Sequence, residues 1–549
     1  MFLKVVALSL PTCISQKAMK YSYSLFLFLF VLLVSTCVAQ DNRVPLWGRW
    51  ERTFEAAPRT NPDPSIGLLV RLTSPSGKRH KVSAFWDGGK TWRVRFMPNE
   101  AGKWHFRTIA YPDYVGLNAK RGTFVCRTAK DSNRFFQHGA VRVSKSGTHL
   151  EHADGTPFFW LADTAWNGAL LSKPDDWNKY LEDRVAKKFT AIQFVTTQWR
   201  SAPANLEAEV AFTGKDKIQI NPAFFQRMDA RIDALNQQGL LAVPVLLWAI
   251  KGDENPGWYL PEEQAVIIEK YLVARYGAHH VVWIPAGDTT YREANGEKWR
   301  RISRAVFGDE PHAPIVMHPQ GMQSYAETYQ DEKWLDIIGY QSGHGDNNAT
   351  LQWIHSGPIA KEAKQFTTRP FINLEPPYED HVAYHSKQRH TDFTVRRASY
   401  WSLLNAPTAG VTYGAHGVWS WEVEAKEPLL HKGTGIAKPW FDAMKLPGSQ
   451  QMKFIHEFFA SMKWWELRPD ASLVETQSSD PAKFIAAAKT LSGATAVVYL
   501  PAGGEATIKA ATQAEWFDPR TGQWQAANKV GDKFRAPTAQ DWLLKLKLK

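Results

Sequence analysis

Two acidic side chains carry most of the chemical information in this chain. Asp288 closes the run Ile284-Pro285-Ala286-Gly287-Asp288, and Glu375 closes Ile372-Asn373-Leu374-Glu375. Each ends a short apolar stretch of strand character. A lone acid in such a place commonly caps the helix that follows. Two acids on opposite sides of one opening can do more. A protonated carboxyl on the leaving oxygen and a carboxylate at the anomeric carbon together break a glycosidic bond. The ends of the other apolar runs supply indoles, imidazoles, amides, phenols and further acids: Asp163, Trp166, Gln198, Trp199, Trp248, Tyr291, His318, Gln341, His344, Tyr378, Glu379, Tyr413, His416 and Trp419. Such groups bind sugar hydroxyls and stack on sugar rings, so all are taken as substrate-binding candidates. Asp163 is read as a sugar ligand rather than a helix cap. His318, His344 and His416 could ligate a metal, but hydrogen bonding to a nucleophile or sugar is more economical. No metal and no other cofactor is expected.

The elements that must position these residues are legible as an alternation. Eight strand-like runs fall at 158–163, 191–197, 240–248, 281–288, 315–320, 335–340, 370–375 and 410–419, with helical stretches between most of them. Pro174, Pro222 and Pro261 stand near helix starts, and Gly239 and Gly277 where helices close. Eight strand-then-helix units over 150–460 predict a (β/α)8 TIM barrel, in which chemistry sits at the carboxyl ends of the strands. Asp288 then follows strand four and Glu375 follows strand seven, across the barrel from each other. No Gly-x-Gly-x-x-Gly follows any strand, which argues against a doubly wound dinucleotide fold. Residues 41–130 alternate with period two between turn signals and predict an N-terminal, immunoglobulin-like β-sandwich. Residues 465–549 return to the same pattern and predict a C-terminal β-sandwich.

Composition narrows the class further. The 549 residues include 24 Trp, 17 Tyr and 29 Phe, more flat aromatic surface than a core alone requires. The formal charge of +12 contains no run of five basic residues, so a nucleic-acid partner is not expected. The apolar run Leu25 to Val34 follows Lys20 and precedes Ser35-Thr36-Cys37-Val38-Ala39. A basic, apolar and small-residue order of this kind is a signal peptide over 1–39, opening at Met1 or Met19. Ten apolar residues are too few to span a bilayer, which takes roughly 20, so no transmembrane segment is expected in the mature chain. Export to the periplasm, cell surface or medium follows, with a lipid on Cys37 as the lesser alternative because Thr36 precedes it poorly. Cys126 is then the single cysteine of the mature body, and no internal disulfide can form.

Five short motifs in order, Leu161-Ala162-Asp163-Thr164-Ala165-Trp166, Gly287-Asp288 with Tyr291, His318-Pro319-Gln320-Gly321, Gln341-Ser342-Gly343-His344 and Asn373-Leu374-Glu375-Pro376-Pro377-Tyr378-Glu379, resemble the apiosidase-like glycoside hydrolases, family 140 and its relatives. The N-terminal part resembles the immunoglobulin-like domain of unknown function that precedes such barrels. The C-terminal part resembles a small β-domain named for collagen binding. The resemblance implies a retaining mechanism with Asp288 as acid/base and Glu375 as nucleophile. Related barrels often carry Asn-Glu where this chain has Gly287-Asp288. The expected function is an exported retaining glycoside hydrolase acting on a polysaccharide side chain or oligosaccharide. The alternatives are a non-catalytic glycan- or matrix-binding protein on a barrel scaffold and a polysaccharide lyase, the last resting on Tyr291-Arg292.

Overall fold

A computed structural model describes residues 42–56, 67–114, 116–128, 131–308, 311–508 and 511–548. The signal segment and Cys37 lie outside the described residues. Eight parallel strands form the central sheet: β1 (Trp160–Thr164), β2 (Ala191–Val195), β3 (Leu241–Trp248), β4 (Ile284–Thr289), β5 (His318–Pro319), β6 (Ile338–Gln341), β7 (Phe371–Glu375) and β8 (Gly410–Gly414). Their order is β5-β4-β3-β2-β1-β8-β7-β6. A single parallel bridge, Val316 to Ile337, spans the remaining gap and nearly closes the barrel. Almost every strand residue is buried, as parallel strands covered on both faces must be, which explains the unbroken apolar runs.

Strand β5 is far shorter than the expected 315–320 run: Ile315 and Val316 make only single bridges, to Trp283 and Ile337, and the ladder breaks at Met317, whose N–H and carbonyl are both taken by a side chain. The Tyr325 hydroxyl bridges this weak seam. It donates to the Met317 carbonyl at 3.0 Å and accepts from the Met317 and Gly339 amides at 3.1 and 2.6 Å. Strand β8 stops at Gly414, so Trp419 stands on the loop beyond it rather than on a strand.

Helices α1 (Pro174–Ala186), α2 (Pro222–Gln237), α3 (Glu262–Tyr276), α4 (Glu293–Val306), α5 (Asn348–Ser356), α6 (Pro358–Gln365), α7 (Asp392–Leu404) and α8 (Pro447–Ala460) surround the strands. Their starts follow local chemistry. Pro occupies the first turn of α1, α2, α6 and α8, where its missing N–H costs nothing. Asn221, Asn347 and Thr391 accept amide hydrogen bonds as N-caps of α2, α5 and α7. Gly239 takes a left-handed φ of 73° after α2, as expected of a closing glycine. Gly277 closes α3 in the right-handed region instead.

The flanking regions are β-rich. Residues 43–127 form a five-stranded and a three-stranded sheet whose inner faces share one apolar cluster built on Trp50, Trp86, Trp92, Trp104, Phe106 and Phe124. Cys126 lies in that cluster, and burial pushes its thiol up to about 11. Arginines fasten this region to the barrel helices: Arg95 reaches Asp229 of α2 at 2.6 Å, and Arg275 of α3 reaches Asp87 at 2.8 Å. Residues 467–548 form a six-stranded and a three-stranded sheet, joined to α7 by a buried Arg396–Asp541 pair at 2.7 Å. No helix of the described residues is long and apolar enough to cross a membrane.

Candidate active site

A cavity of about 380 Å³ opens at the carboxyl ends of the strands, and both Asp288 and Glu375 line it. Each stands at an irregularity in the barrel ladder. Gly287 pairs with His318 and Thr289 with Pro319, so Asp288 is an extra residue bulged out of β4, with a left-handed φ of 54°. On β7 the register also slips, Tyr340 facing Asn373 and Gln341 facing Glu375. Bulges re-aim side chains at strand ends. Gly287 is required here, because a Cβ at this position would stand 2.6 Å from the Trp248 ring.

Two imidazoles hold Glu375. His344 Nε2 lies 2.9 Å from Oε1, and His318 Nε2 stands in a looser contact 3.3 Å from Oε2. The opposite ring nitrogens accept backbone amides at 3.3 Å, from Tyr378 to His344 Nδ1 and from Asp288 to His318 Nδ1. His344 Nε2 is thereby directed at the carboxylate in a hydrogen bond, whereas His318 Nε2 lies near it without one. His318 therefore links the backbone of one acid to the carboxylate of the other.

The two acids are driven apart electrically. Burial and the neighbouring Glu375 charge raise Asp288 to about 6, against the opposing pull of His318, Arg200 and His344. Burial alone would raise Glu375 too, but the imidazole contacts outweigh it and bring this carboxyl down to about 2. Near pH 5 the site thus holds one protonated and one ionised carboxyl, which is the division of labour acid-assisted displacement needs.

Of the other candidates, Trp166, Trp199, Trp248, Gln341, His344, Tyr378 and Trp419 line the cavity. The aromatic wall is braced by its own polar atoms: Trp166 donates to the Tyr378 hydroxyl at 3.1 Å, Trp199 to Asn167 at 2.9 Å and Trp419 to His416 Nδ1 at 3.1 Å. His318 sits behind this wall, edge-on to Trp166.

Six further candidates do not reach the cavity. Asp163 is fully buried on the outer side of β1, where it accepts from Arg184 at 2.5 Å and Tyr180 at 2.6 Å. It is a core ion pair and neither binds sugar nor caps a helix. Its register partner Tyr413 also points outward and donates to Glu379 at 2.6 Å, while Glu379 also takes the Gly448 amide. Tyr291 donates to the Ala286 carbonyl at 2.7 Å, which removes it as the base of a lyase. Gln198 spends both ends of its amide on the Ala211 and Phe212 backbone. His416 holds the Gly435 carbonyl at 2.8 Å and serves as the support of Trp419. His416 does not join His318 and His344 at Glu375, and no group of three or more side chains placed to hold a metal ion occurs among the described residues.

Several cavity residues were not singled out as substrate-binding candidates: Arg200, Gln320, Gln323, His381, Tyr384, His431 and Thr434. Arg200 and Gln320 stand at or beside strand ends, where position could have flagged them. His381, Tyr384, His431 and Thr434 come from loops after β7 and β8, where no periodicity marks a residue as inward.

Comparison with known proteins agrees with this architecture. The family profile for the apiosidase-like catalytic domain matches residues 144–466, more than half of the chain. A domain of unknown function, DUF5060, matches 43–111, and a profile named for a collagen-binding domain of a collagenase matches 468–547. A solved glycoside hydrolase is 22% identical with a TM-score of 0.67, covering 75% of this chain and 98% of its own. A glycoside hydrolase family 5 structure from Bacteroides vulgatus ATCC 8482 is likewise 22% identical with a TM-score of 0.67, covering 76% of this chain and 95% of its own. A further structure from that organism, assigned as a glycoside hydrolase, is 17% identical with a TM-score of 0.69 and covers 93% and 100% of the two chains. At these identities the likeness concerns the fold. No curated protein matches the sequence.

Proposed function

Because the chain belongs to the apiosidase-like family of glycoside hydrolases, we propose that it cleaves a glycosidic bond with retention of configuration, with Asp288 as acid/base and Glu375 as nucleophile. The observation that carries this reading is the opposite polarisation of the two carboxyls in one aromatic-walled cavity. In the first step Asp288 gives its proton to the leaving oxygen while a Glu375 oxygen bonds to the anomeric carbon. The His344 and His318 side chains favour the ionised form of Glu375, and the His344 hydrogen bond fixes its orientation.

Forming the ester removes the Glu375 charge, which is one of the two causes that raise Asp288. Asp288 then becomes a stronger acid, ionises, and is ready to take a proton from water in the second step. Water attacks the anomeric carbon, the ester bond to Glu375 breaks, and both carboxyls return to their starting states. The substrate is read as a polysaccharide side chain or an oligosaccharide, reached by an exported protein. A scaffold that only binds glycans has no use for a carboxyl held protonated beside one held ionised.

Chemical rescue tests the assignment. With an activated aryl glycoside, whose leaving group needs little protonation, Asp288→Ala should form the glycosyl-enzyme and stall, and azide should restore turnover through a glycosyl azide of retained configuration. Absence of azide rescue, with the variant folded and the wild type active on the same glycoside, would remove Asp288 from the acid/base role.

A further inference from the structure

The proposed chemistry leaves one charged side chain in the cavity unused. Arg200 lines the wall on the loop after β2. Its backbone is fixed: the Trp199–Ala202 bridge closes the turn, and the Arg200 amide donates to the buried Asn255 side chain at 3.3 Å. The side chain is fixed to nothing. Its guanidinium makes no hydrogen bond or ion pair with the described residues, and its Nε is enclosed without an acceptor. Three fully buried arginines behave otherwise. Arg184 is paired with Asp163, Arg275 with Asp87 and Arg396 with Asp541.

The Arg200 charge acts on Asp288 through space, but neither acid of the cavity forms an ion pair with it. Glu375 is engaged by two imidazoles, and Asp288 is held protonated to about 6. A half-buried guanidinium with no hydrogen-bond or ion-pair partner is an unfavourable arrangement that a bound anion would relieve. The planar guanidinium fork matches the two oxygens of a carboxylate or sulfate. Resting on the glycosidase reading above, we propose that Arg200 selects a sugar bearing a carboxylate or sulfate group, making this an enzyme of acidic glycans.

The test reads binding, so that it stands apart from turnover. In the Glu375→Gln background, which is expected to leave substrate uncut, calorimetry in 0.15 M salt would compare polygalacturonate with its carboxyl-reduced product, and a sulfated galactan with its desulfated product. The proposal expects one charged polymer to bind at least about 30-fold more tightly than its neutral counterpart, consistent with loss of a buried charge-assisted contact. The pair that discriminates tells carboxylate from sulfate. Arg200→Gln and Arg200→Lys should both abolish the preference, since lysine keeps the charge and loses the fork. Equal binding within both pairs would overturn the proposal. So would a wild-type preference in Arg200→Lys, which would trace the effect to the basic surface as a whole. Failure of the glycosidase reading would appear separately, as turnover persisting in Glu375→Gln.

Discussion

Replacing Glu375 by Gln should lower the titration midpoint of Asp288, and the size of the change can be worked from the site. Asp288 stands at about 6 against an ordinary 3.8, which amounts to about 3 kcal/mol against its ionised form. Burial and the Glu375 charge share that cost. For carboxyls about 5.5 Å apart, the separation of a retaining pair, Coulomb's law at an effective dielectric of about 20 gives about 3 kcal/mol. Since burial is the larger of the two causes, the Glu375 share is below that ceiling. That share is at most about half of the cost, about 1.5 kcal/mol, so the midpoint should fall by up to about one pH unit in Glu375→Gln. Carbon-13 NMR of protein labelled at the aspartate carboxyl would follow it, with Asp288→Asn identifying the resonance. The wild-type signal should titrate near 6. A midpoint that stays within about 0.3 of the wild-type value would mean that burial alone sets it, and the switch from acid to base during the reaction would lose its cause.

Two further outcomes separate structural from catalytic roles. Asp163→Asn leaves the fully buried Arg184 with Asp183 as its remaining acid and should destabilise the protein by about 3 kcal/mol in urea unfolding, whereas a sugar ligand at this position would change KM with little loss of stability. Gly287→Asn, which restores the residue common before the acid in related barrels, should push the Trp248 ring out of the cavity wall, at a cost of about 1–3 kcal/mol in stability and at least about tenfold in kcat/KM; unchanged kinetics would show that the ring position is not set by this contact.

The barrel was legible because buried parallel strands leave continuous apolar runs, and because strand ends in such a fold are where side chains meet. Asp288 and Glu375 could be picked by that rule alone. The rule does not resolve which way a terminal side chain points. Asp163 and Tyr413 sit side by side in register on the outer face, and their partners Arg184, Tyr180 and Glu379 come from elements distant in sequence. Only the folded pairing shows that they belong to the helix layer. The bulge at Asp288 was equally hidden, although Gly287 marked a place where the backbone meets a neighbouring ring. His318 and His344 were visible as strand-end imidazoles, but their joint hold on one carboxylate depends on a contact across three strands.

The central claim is that Glu375 forms a covalent bond to the sugar. Proton NMR of the first product released, recorded before mutarotation, reads that claim directly on whichever glycoside the wild type cleaves. Two displacements at the anomeric carbon predict a product with the configuration of the substrate. A first-formed product of opposite configuration would show a single displacement by water and would contradict the account.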